Sequence, residues 1–473
     1  MEIAILIIFI IGYIAITLEH SIKVDKLVPA LLMMVLAWTC VAIGIDGFDT
    51  WFDSTRHGLM NGSHGTLNFP MIDHKEKMNV LHSSLLHHFG KTCEILIFLI
   101  GAMTIVEMID HFNGFATIKR FIKTTRKRKL LWIISILAFV LSAIIDNLTA
   151  TIVLITILRK ILTDSKDRMW FAGMIIIAAN AGGAWSPIGD VTTTMLWIGE
   201  KVSTVKLVEY LIAPSLFCMI VPTLIAGYLK PFKGNFTPPS SSDKEENKHG
   251  PIMLYSGLGM IVFVPIFKTI THLPPYLGMM LSLSVIALMA EWITARKYRI
   301  SQFEENFEEN ENHHHSPTFG ALSKIEMPSI LFFLGILMTV AALESVGMVL
   351  GFGNSVQNSM AAFFGDLDIG NNFFILLLGV ASAIIDNVPL VAASMGMFDV
   401  DTYSTDSYIW HFIAYTAGTG GSMLIIGSAA GVVAMGMEKI SFFWYLRKIG
   451  WLAMLGYLTG AGSFLLIEHY FYG

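Results

Sequence analysis

The sequence predicts an all-α polytopic membrane protein built from two inverted repeats, and three observations lead to this prediction. The 473-residue chain is 54% hydrophobic and only 14% charged, whereas soluble proteins carry about 25% charged residues. Its apolar residues fall in blocks of about 20, the length of a helix that crosses a bilayer. The six residues 142–147 (Ser-Ala-Ile-Ile-Asp-Asn) recur unchanged at residues 382–387. Two halves with related sequences are therefore expected.

Each half is predicted to hold five spans, one of them broken, and one re-entrant helical hairpin. The first repeat covers residues 1–230 and the second covers residues 252–473. Two polar linkers, residues 231–251 and 296–325, have a composition typical of solvated connections. The triple histidine at 313–315 leaves metal binding or pH sensing open as well. The predicted spans lie at 2–19, 27–45, 92–110, 169–199 and 207–229, and at 252–271, 276–294, 328–346, 408–437 and 449–468.

Two apolar stretches, residues 130–161 and 372–398, fit poorly as simple spans. One helix over the first stretch would be about 48 Å long, which exceeds a hydrocarbon core of about 30 Å, and two full spans would not fit in it. Each stretch is also interrupted by an Asp-Asn pair, at residues 146–147 and 386–387. Each is therefore predicted to be a hairpin of two short helices that enters and leaves the membrane by the same face.

Basic residues give the orientation, because Lys and Arg concentrate in short cytoplasmic loops. They flank the first hairpin on both sides, whereas residues 325–438, which surround the second hairpin, contain no Lys or Arg. The first hairpin is thus expected to enter from the cytoplasm and the second from outside. The N-terminus is expected outside and both linkers in the cytoplasm. No basic region precedes the first apolar block, which favours a retained span in a bacterial inner (plasma) membrane over a cleaved signal.

The fourth span of each repeat is predicted to break within the membrane. Gly182 and Gly183 in the first repeat match Gly420 and Gly421 in the second, and such glycines disfavour a continuous helix. Paired interruptions in two halves point to the binding site of a transporter. Close packing of helices through small residues is the alternative explanation.

The aspartates at the hairpin interruptions, Asp146 and Asp386, are the main candidates for ion binding. An uncompensated carboxylate at that depth costs about 3 kcal/mol, so each is expected to be paired, protonated or bound to a cation. Asp190 adds a third carboxylate, and its counterpart in the second repeat is Ser428. Mutual repulsion would let protons and a cation compete for the same oxygens. Further oxygen ligands are expected from Asn147, Asn387, Asn180, Ser142, Ser382, Thr149, Thr192, Thr193 and Ser422, and from the backbone at Gly182, Gly183, Gly420 and Gly421. Any single hydroxyl could instead bond to its own helix backbone.

Other acidic residues are candidates for proton access. Glu107 and Asp110 end the third span, where an interfacial ion pair is the alternative, and Glu344 lies near the outer end of the eighth. The histidine-rich segment 46–91 is predicted to be a long outer loop, either a solvated surface or a pH sensor. The three cysteines form no disulfide or zinc pattern. The net charge of −5 gives no indication of nucleic-acid binding.

These segments resemble the NhaD-type sodium/proton antiporters of the ion transporter superfamily. The resemblance rests on residues 101–110, 142–149, 180–194 and 382–389. It implies exchange of Na⁺ or Li⁺ for H⁺, with no cofactor beyond the transported ions. It also implies a dicarboxylate-transporter-like fold, a homodimer, and an elevator motion of the domain that contains the hairpins.

Two rival functions remain open. A sodium-coupled dicarboxylate or citrate carrier of the same superfamily, or an arsenite exporter as a variant, would share the architecture. Such carriers typically have Ser-Asn-Thr at the hairpin tips, and neutral tips at helix N-termini suit an anion, whereas Asp146 and Asp386 suit a cation. An intramembrane aspartyl protease is favoured only by the pair Gly189-Asp190. The chain is therefore predicted to be a transporter and not an enzyme.

Overall fold

The computed structural model describes residues 1–17, 19–53, 58–60, 68–236, 249–301, 316–398 and 402–472. These residues are almost entirely helical, with two short antiparallel strands, β1 (Phe52–Asp53) and β2 (Gly58–Leu59). The helices are α1 (Glu2–Thr17), α2 (Glu19–Ile22), α3 (Leu27–Ile43), α4 (His74–His111), α5 (Lys127–Ser142), α6 (Asn147–Arg159), α7 (Ser165–Gly183), α8 (Val191–Ile198), α9 (Thr204–Ala226), α10 (Gly250–Thr271), α11 (Pro275–Ser301), α12 (Pro317–Leu322), α13 (Met327–Ser345), α14 (Met348–Phe364), α15 (Leu367–Ala381), α16 (Asn387–Met397), α17 (Tyr408–Gly420), α18 (Ala429–Glu438), α19 (Phe442–Tyr445) and α20 (Trp451–Ile467).

The helices have the length and composition of a multi-pass membrane protein, as predicted. Within the described ranges, six helical stretches are long and apolar enough to cross a membrane: α4, α9, α10, α11, α13 and the stretch that contains α19 and α20. A seventh results if α14 and α15, which are bent by 117°, count as one span. The remaining predicted spans are shorter or broken. Helices α1 and α3 have 16 and 17 residues, and α7–α8 and α17–α18 are interrupted.

The helices pack in two groups. In the first group, called the frame helices (α1, α3, α4, α10, α11 and α13), α13 packs against α3 and α4, and α11 packs against α4 and α10. In the second, called the hairpin group (α5–α9, α15–α18 and α20), α7 packs against α5, α6 and α9, and α17 packs against α15, α16 and α20. Helix α9 also packs along α20, which joins the two halves of the hairpin group.

Ion pairs hold the N-terminal end of α5 and the C-terminal end of α6 near the start of α7. Lys127 Nζ, at the start of α5, lies 2.5 Å from Asp167 Oδ2. Arg159, at the end of α6, and Arg168 bind the two carboxylate oxygens of Glu438 at 2.7 and 2.9 Å. Because Glu438 ends α18, that helix ends at the same side of the molecule where α7 begins.

Polar and aromatic contacts bring the outer ends of α15 and α16 to the start of α17. Asn371 donates to the hydroxyl of Tyr403 at 2.9 Å, and the ring of Phe398 packs edge-on against Tyr403 with centroids 5.5 Å apart. The backbone N–H of Ser203, which precedes α9, donates to Asp406 at 2.6 Å. The start of α17 therefore lies beside the end of α8. Consequently α7–α8 and α17–α18 run in opposite directions. The outer ends of the α5–α6 pair and those of the α15–α16 pair therefore lie at opposite ends of the molecule.

Helix α4 differs most from the sequence prediction, because it begins at His74 and not near residue 92. Asp73 caps it by accepting a 2.8 Å hydrogen bond from the backbone N–H of Glu76, and no Gly or Pro follows until Gly90. The predicted outer loop 46–91 is thus wrong over its second half, and four of its histidines (His74, His82, His87 and His88) lie on this helix. His57 and His64 lie outside the described residues.

Three other boundaries also differ. Helix α15 begins at Leu367, before the predicted start of the second hairpin, because Asp366 accepts hydrogen bonds from the N–H groups of Asp368 and Ile369. The ends of the second predicted linker are helical, in α11 and α12. The linker residues 237–248 and 302–315, with the triple histidine, lie outside the described residues.

Candidate functional site

The aspartates at the two interruptions occupy the same local position and have different partners. Each is the N-cap residue of the following helix, Asp146 of α6 and Asp386 of α16. Asp146 accepts hydrogen bonds from the N–H and hydroxyl of Thr149 at 2.7 and 2.8 Å. At the third residue of α16 stands Pro389, which has no N–H to donate. Asp386 makes no side-chain capping bond, and its Oδ2 lies 3.2 Å from Lys26 Nζ instead.

Asp190 joins the two Asp-Asn interruptions. The amide of Asn147 donates to Asp190 Oδ2 at 2.9 Å, and the amide of Asn387 lies 3.4 and 3.3 Å from Oδ1 and Oδ2. Asp190 also caps α8, because its Oδ1 accepts from the backbone N–H of Thr192 at 3.1 Å. One buried carboxylate thus receives donors from residues on α6, α8 and α16.

A second polar chain leads from the same place to the other broken helix. Asn147 also donates to Asn180 Oδ1 at 2.9 Å, and the amide of Asn180 donates to Ser428 Oγ at 3.1 Å. Ser428 is the N-cap of α18, as Asp190 is of α8. The N-termini of four helices, α6, α8, α16 and α18, therefore meet at one polar network. Helix N-termini carry partial positive charge, which stabilises carboxylates there.

A small cavity adjoins this network, between the frame helices and the hairpin group. It encloses about 80 Å³ and is lined by Asp146, Asp190 and Asp386, by Lys26, and by apolar side chains such as Phe98 and Phe333. Pockets for drug-sized organic ligands are roughly 300 Å³ or more. The cavity has a size that suits a small cation with little water, and within its mainly apolar lining the carboxylates of Asp146, Asp190 and Asp386 supply oxygen atoms.

Three of the six predicted hydroxyl ligands bond to backbone carbonyls. Thr193 donates to the carbonyls of Ser186 and Asp190, Ser382 to that of Ala417, and Ser422 to that of Thr419. The Oγ atom of Ser142 is buried and has no hydrogen-bond partner among the described residues. The buried Oγ1 atom of Thr192 has no partner among these residues either, so Ser142 and Thr192 are the two members of the set whose hydroxyls are not already engaged.

The predicted glycines lie where two backbones approach each other closely. A Cβ atom on Gly182 would collide with the carbonyl oxygen of Phe139 in α5, and one on Gly420 would collide with the carbonyl oxygen of Gly379 in α15. Gly183 and Gly421 likewise face the carbonyls of Gly189 and Gly427 across the helix breaks. Each hairpin thus packs directly on its broken helix. These contacts match the packing explanation that the sequence left open.

The three acidic residues proposed for proton access are not among the described residues that line the central cavity. Glu107 and Asp110 lie in the last two turns of α4. Glu344 lines a separate cavity of about 250 Å³ together with His88 and Lys201. The structure therefore separates these residues from the three aspartates.

Lys26 lines the cavity but is not recognisable as a site residue from the sequence. A lysine in a short loop between two predicted spans indicates only that the loop is cytoplasmic. The local signal for a partner of Asp386 was Pro389, because a proline at the third helical position prevents the aspartate from capping there. That signal predicts a carboxylate in need of a partner but does not identify Lys26, which is 360 residues away in sequence.

Comparison with known proteins places the chain in a family. The family model described as "Citrate transporter" (CitMHS) matches residues 5–300. Sodium/proton antiporter 1 of Arabidopsis thaliana is 38% identical over 99% of this chain and 73% of its own length. The Na⁺/H⁺ antiporter NhaD of Vibrio parahaemolyticus is 31% identical over 80% of this chain and 92% of its own length. The chain is an NhaD-type member of the citrate transporter family.

The predicted NhaD-type resemblance is therefore confirmed. Among solved structures, the YdaH transporter of Alcanivorax borkumensis superposes with a TM-score of 0.59 over 94% of this chain and 99% of that chain. Because the identity is only 11%, this similarity concerns the fold alone.

Proposed function

We propose that this NhaD-type chain is a secondary Na⁺/H⁺ antiporter that exports Na⁺, or Li⁺, in exchange for protons. The observation that carries the proposal is the cavity of about 80 Å³ onto which Asp146, Asp190 and Asp386 all face. The relatives named as sodium/proton antiporters support the same function. Those names also favour a transporter over an enzyme, the protease alternative included.

Competition between a proton and a metal cation follows from the charges in the cavity. Its lining combines three carboxylates with one ammonium group, that of Lys26. Small hard cations bind carboxylate and carbonyl oxygens, and the same carboxylates bind protons. Either ion reduces the repulsion among the aspartates, so the two compete. The proposed Na⁺ ligands are drawn from these aspartates, from Asn147 and Asn387, and from Ser142.

The movement proposed for transport follows from the two opposed hairpins. The α5–α6 and α15–α16 pairs open at opposite ends, and Asp190 is bonded near the tips of both. This arrangement supports two inverted repeats, and an elevator motion of the hairpin group along the frame helices would expose the cavity to each side in turn. We further propose a plasma-membrane location, an N-terminus outside and a homodimer.

A second candidate is a sodium-coupled carrier of citrate or a dicarboxylate, because the matching family model is described as a citrate transporter. Two features oppose it. The cavity is small for a tricarboxylate, and its three aspartates would repel an anion. Addition of citrate or succinate to the assay below separates the two candidates.

The test is Na⁺-dependent dissipation of an imposed pH gradient in everted vesicles. The wild type should respond to Na⁺ and Li⁺, and not to citrate or succinate. Asp146→Asn and Asp386→Asn should abolish the response while the protein remains folded. Asp368→Asn makes the same change on an exposed turn of α15 and serves as the control. If both cavity variants exchanged Na⁺ for protons at the wild-type rate, the proposed site would be wrong.

A further inference from the structure

Lys26 connects the two groups of helices. It immediately precedes α3, which belongs to the frame helices and packs against α13. Its ammonium group lies 3.2 Å from the Asp386 carboxylate of the hairpin group and 4.4 Å from the centre of the Phe332 ring in α13. The Lys26 and Asp386 side chains are 27% and 18% exposed, so the pair is largely shielded from water.

The ammonium group of Lys26 forms an ion pair with Asp386, one of the carboxylates proposed to bind Na⁺. Lys26 and Asp386 both line the central cavity, and Lys26 carries the same unit charge as Na⁺. An unpaired carboxylate at this depth is costly, and Lys26 supplies its counter-charge when no ion is bound. Among the described residues, Glu19 and Asp25 on the same segment also act on the charge of Lys26.

We propose that Lys26 competes with the transported ion for Asp386, and that the pair holds the α15–α16 tip to the frame helices while the site is empty. This inference rests on the function proposed above. Either Na⁺ binding or protonation of Asp386 removes the carboxylate charge available to Lys26, which frees the tip from the frame. When Asp386 is ionised and no Na⁺ is bound, the α15–α16 tip remains attached to the frame helices through Lys26.

This arrangement gives a physical reason for obligatory exchange. An antiporter must prevent its empty, charged site from crossing the membrane, because such a return step would carry Na⁺ one way with no proton in exchange. The ion pair between Lys26 and Asp386 exists only while Asp386 is ionised and has no Na⁺ bound. It therefore restrains the hairpin group in that state alone. Loss of Lys26 should therefore leave Na⁺ transport intact but uncouple it from protons.

The test compares Lys26→Gln, Lys26→Arg and wild type in proteoliposomes, with ²²Na⁺ flux and internal pH measured together. In Lys26→Gln, the half-maximal Na⁺ concentration should fall about two- to fivefold, because a competitor is removed, and the protons moved per Na⁺ should decrease. Lys26→Arg keeps the charge and binds a carboxylate more firmly, so it should raise the half-maximal Na⁺ concentration and preserve coupling. Lys23→Gln removes an exposed positive charge from the same loop and should change neither quantity.

Two results would overturn the inference. One is a Lys26→Gln protein with the wild-type half-maximal Na⁺ concentration and the wild-type ratio of protons to Na⁺. The other, which decides the matter if Lys26→Gln does not accumulate, is a Lys26→Arg protein with an unchanged half-maximal Na⁺ concentration. Failure of the proposed function has a different signature, since the wild type itself would then move no protons in response to Na⁺.

Discussion

The side-chain amide of Asn387 lies 3.3 Å from Asp190 Oδ2, the same oxygen that accepts a 2.9 Å hydrogen bond from Asn147. The two asparagines are the second residues of the repeated Asp-Asn pairs, 240 positions apart. One carboxylate thus determines how close the two hairpin tips come. Both asparagines present their NH₂ groups to Asp190 and act as hydrogen-bond donors to it.

Removal of either amide should weaken Na⁺ binding, and the effect should be larger at Asn147. Asn147 makes the shorter bond to Asp190 and also bonds Asn180. Each change removes a proposed oxygen ligand of Na⁺, and Asn147→Ala also removes a hydrogen bond of about 1.5–3 kcal/mol that positions the Asp190 carboxylate, so it should raise the half-maximal Na⁺ concentration tenfold or more. Asn387→Ala should raise it only about threefold, in keeping with its longer contacts. Antiport in everted vesicles over a range of Na⁺ concentrations measures both, and a larger effect at Asn387 would contradict the prediction.

The repeated serines should differ in stability when each is changed to alanine. Ser382 Oγ donates to the Ala417 carbonyl at 2.8 Å and so ties α15 to α17, whereas the buried Ser142 Oγ has no partner among the described residues. A net hydrogen bond contributes about 1 kcal/mol. Ser382→Ala should therefore lower the melting temperature of the detergent-solubilised protein, and Ser142→Ala should leave it unchanged or raise it in the absence of Na⁺. Equal losses in both variants would show that Ser142 is hydrogen-bonded in the folded protein.

The sequence predicted the features that depend on local patterns. Asp146 and Asp386 are recognisable because each interrupts an apolar stretch, and the six-residue repeat shows that the interruptions correspond. Asp190 is recognisable because it follows glycines at a break in a span. All three line one cavity in the structure. Intramembrane charge is rare enough to be informative without knowledge of the fold.

Other features depend on contacts between distant segments or on signals that hydropathy does not register. The partner of Asp386 is set by how α3 packs on α13, and nothing in residues 20–30 distinguishes Lys26 from a loop lysine. The length of α4 was underestimated because hydropathy falls before residue 92, although Asp73 still caps a helix with no early Gly or Pro. Glu344 lies at the predicted helix end but lines a different cavity.

Alanine at the close-packed glycines should prevent normal folding. A Cβ atom at Gly182 or Gly420 would collide with the backbone of α5 or α15, which cannot move aside as a flexible side chain could. Overpacking of this kind costs about 1–3 kcal/mol or more. Gly182→Ala and Gly420→Ala should each reduce the yield of monodisperse protein in detergent and lower its melting temperature. Gly462→Ala, where a Cβ atom has open space, is the matched control, and wild-type behaviour of all three would contradict the packing argument.

Glu438 should be important for the stability of the hairpin group. Its side chain is 1% exposed and bridges Arg159 of α6 and Arg168 of α7. Removal of one partner leaves buried charge uncompensated. Because Arg159 is partly exposed, the cost should be about 2 kcal/mol, below the 3–5 kcal/mol of a fully buried pair. Glu438→Gln should therefore melt at a clearly lower temperature than the wild type. Glu209→Gln, which removes the exposed ion pair with Lys206, should melt with the wild type, and an equal shift in both would contradict the prediction.

The contact between Asp406 and Ser203 should make stability depend on pH in the acid range. Burial of Asp406 opposes ionisation, but the His411 ring nitrogen 3.5 Å away and the hydrogen bond from the Ser203 N–H outweigh it and hold the pKa of Asp406 below its usual range. Since the pKa is lower in the folded protein than in the unfolded one, the ionised carboxylate stabilises the fold above about pH 4. That contribution is lost as the pH falls through the folded pKa. Asp406→Asn should therefore melt below the wild type at pH 7, with the two melting temperatures converging towards pH 3. A constant difference across this range would mean that the charge of Asp406 does not contribute to holding the start of α17 beside α9.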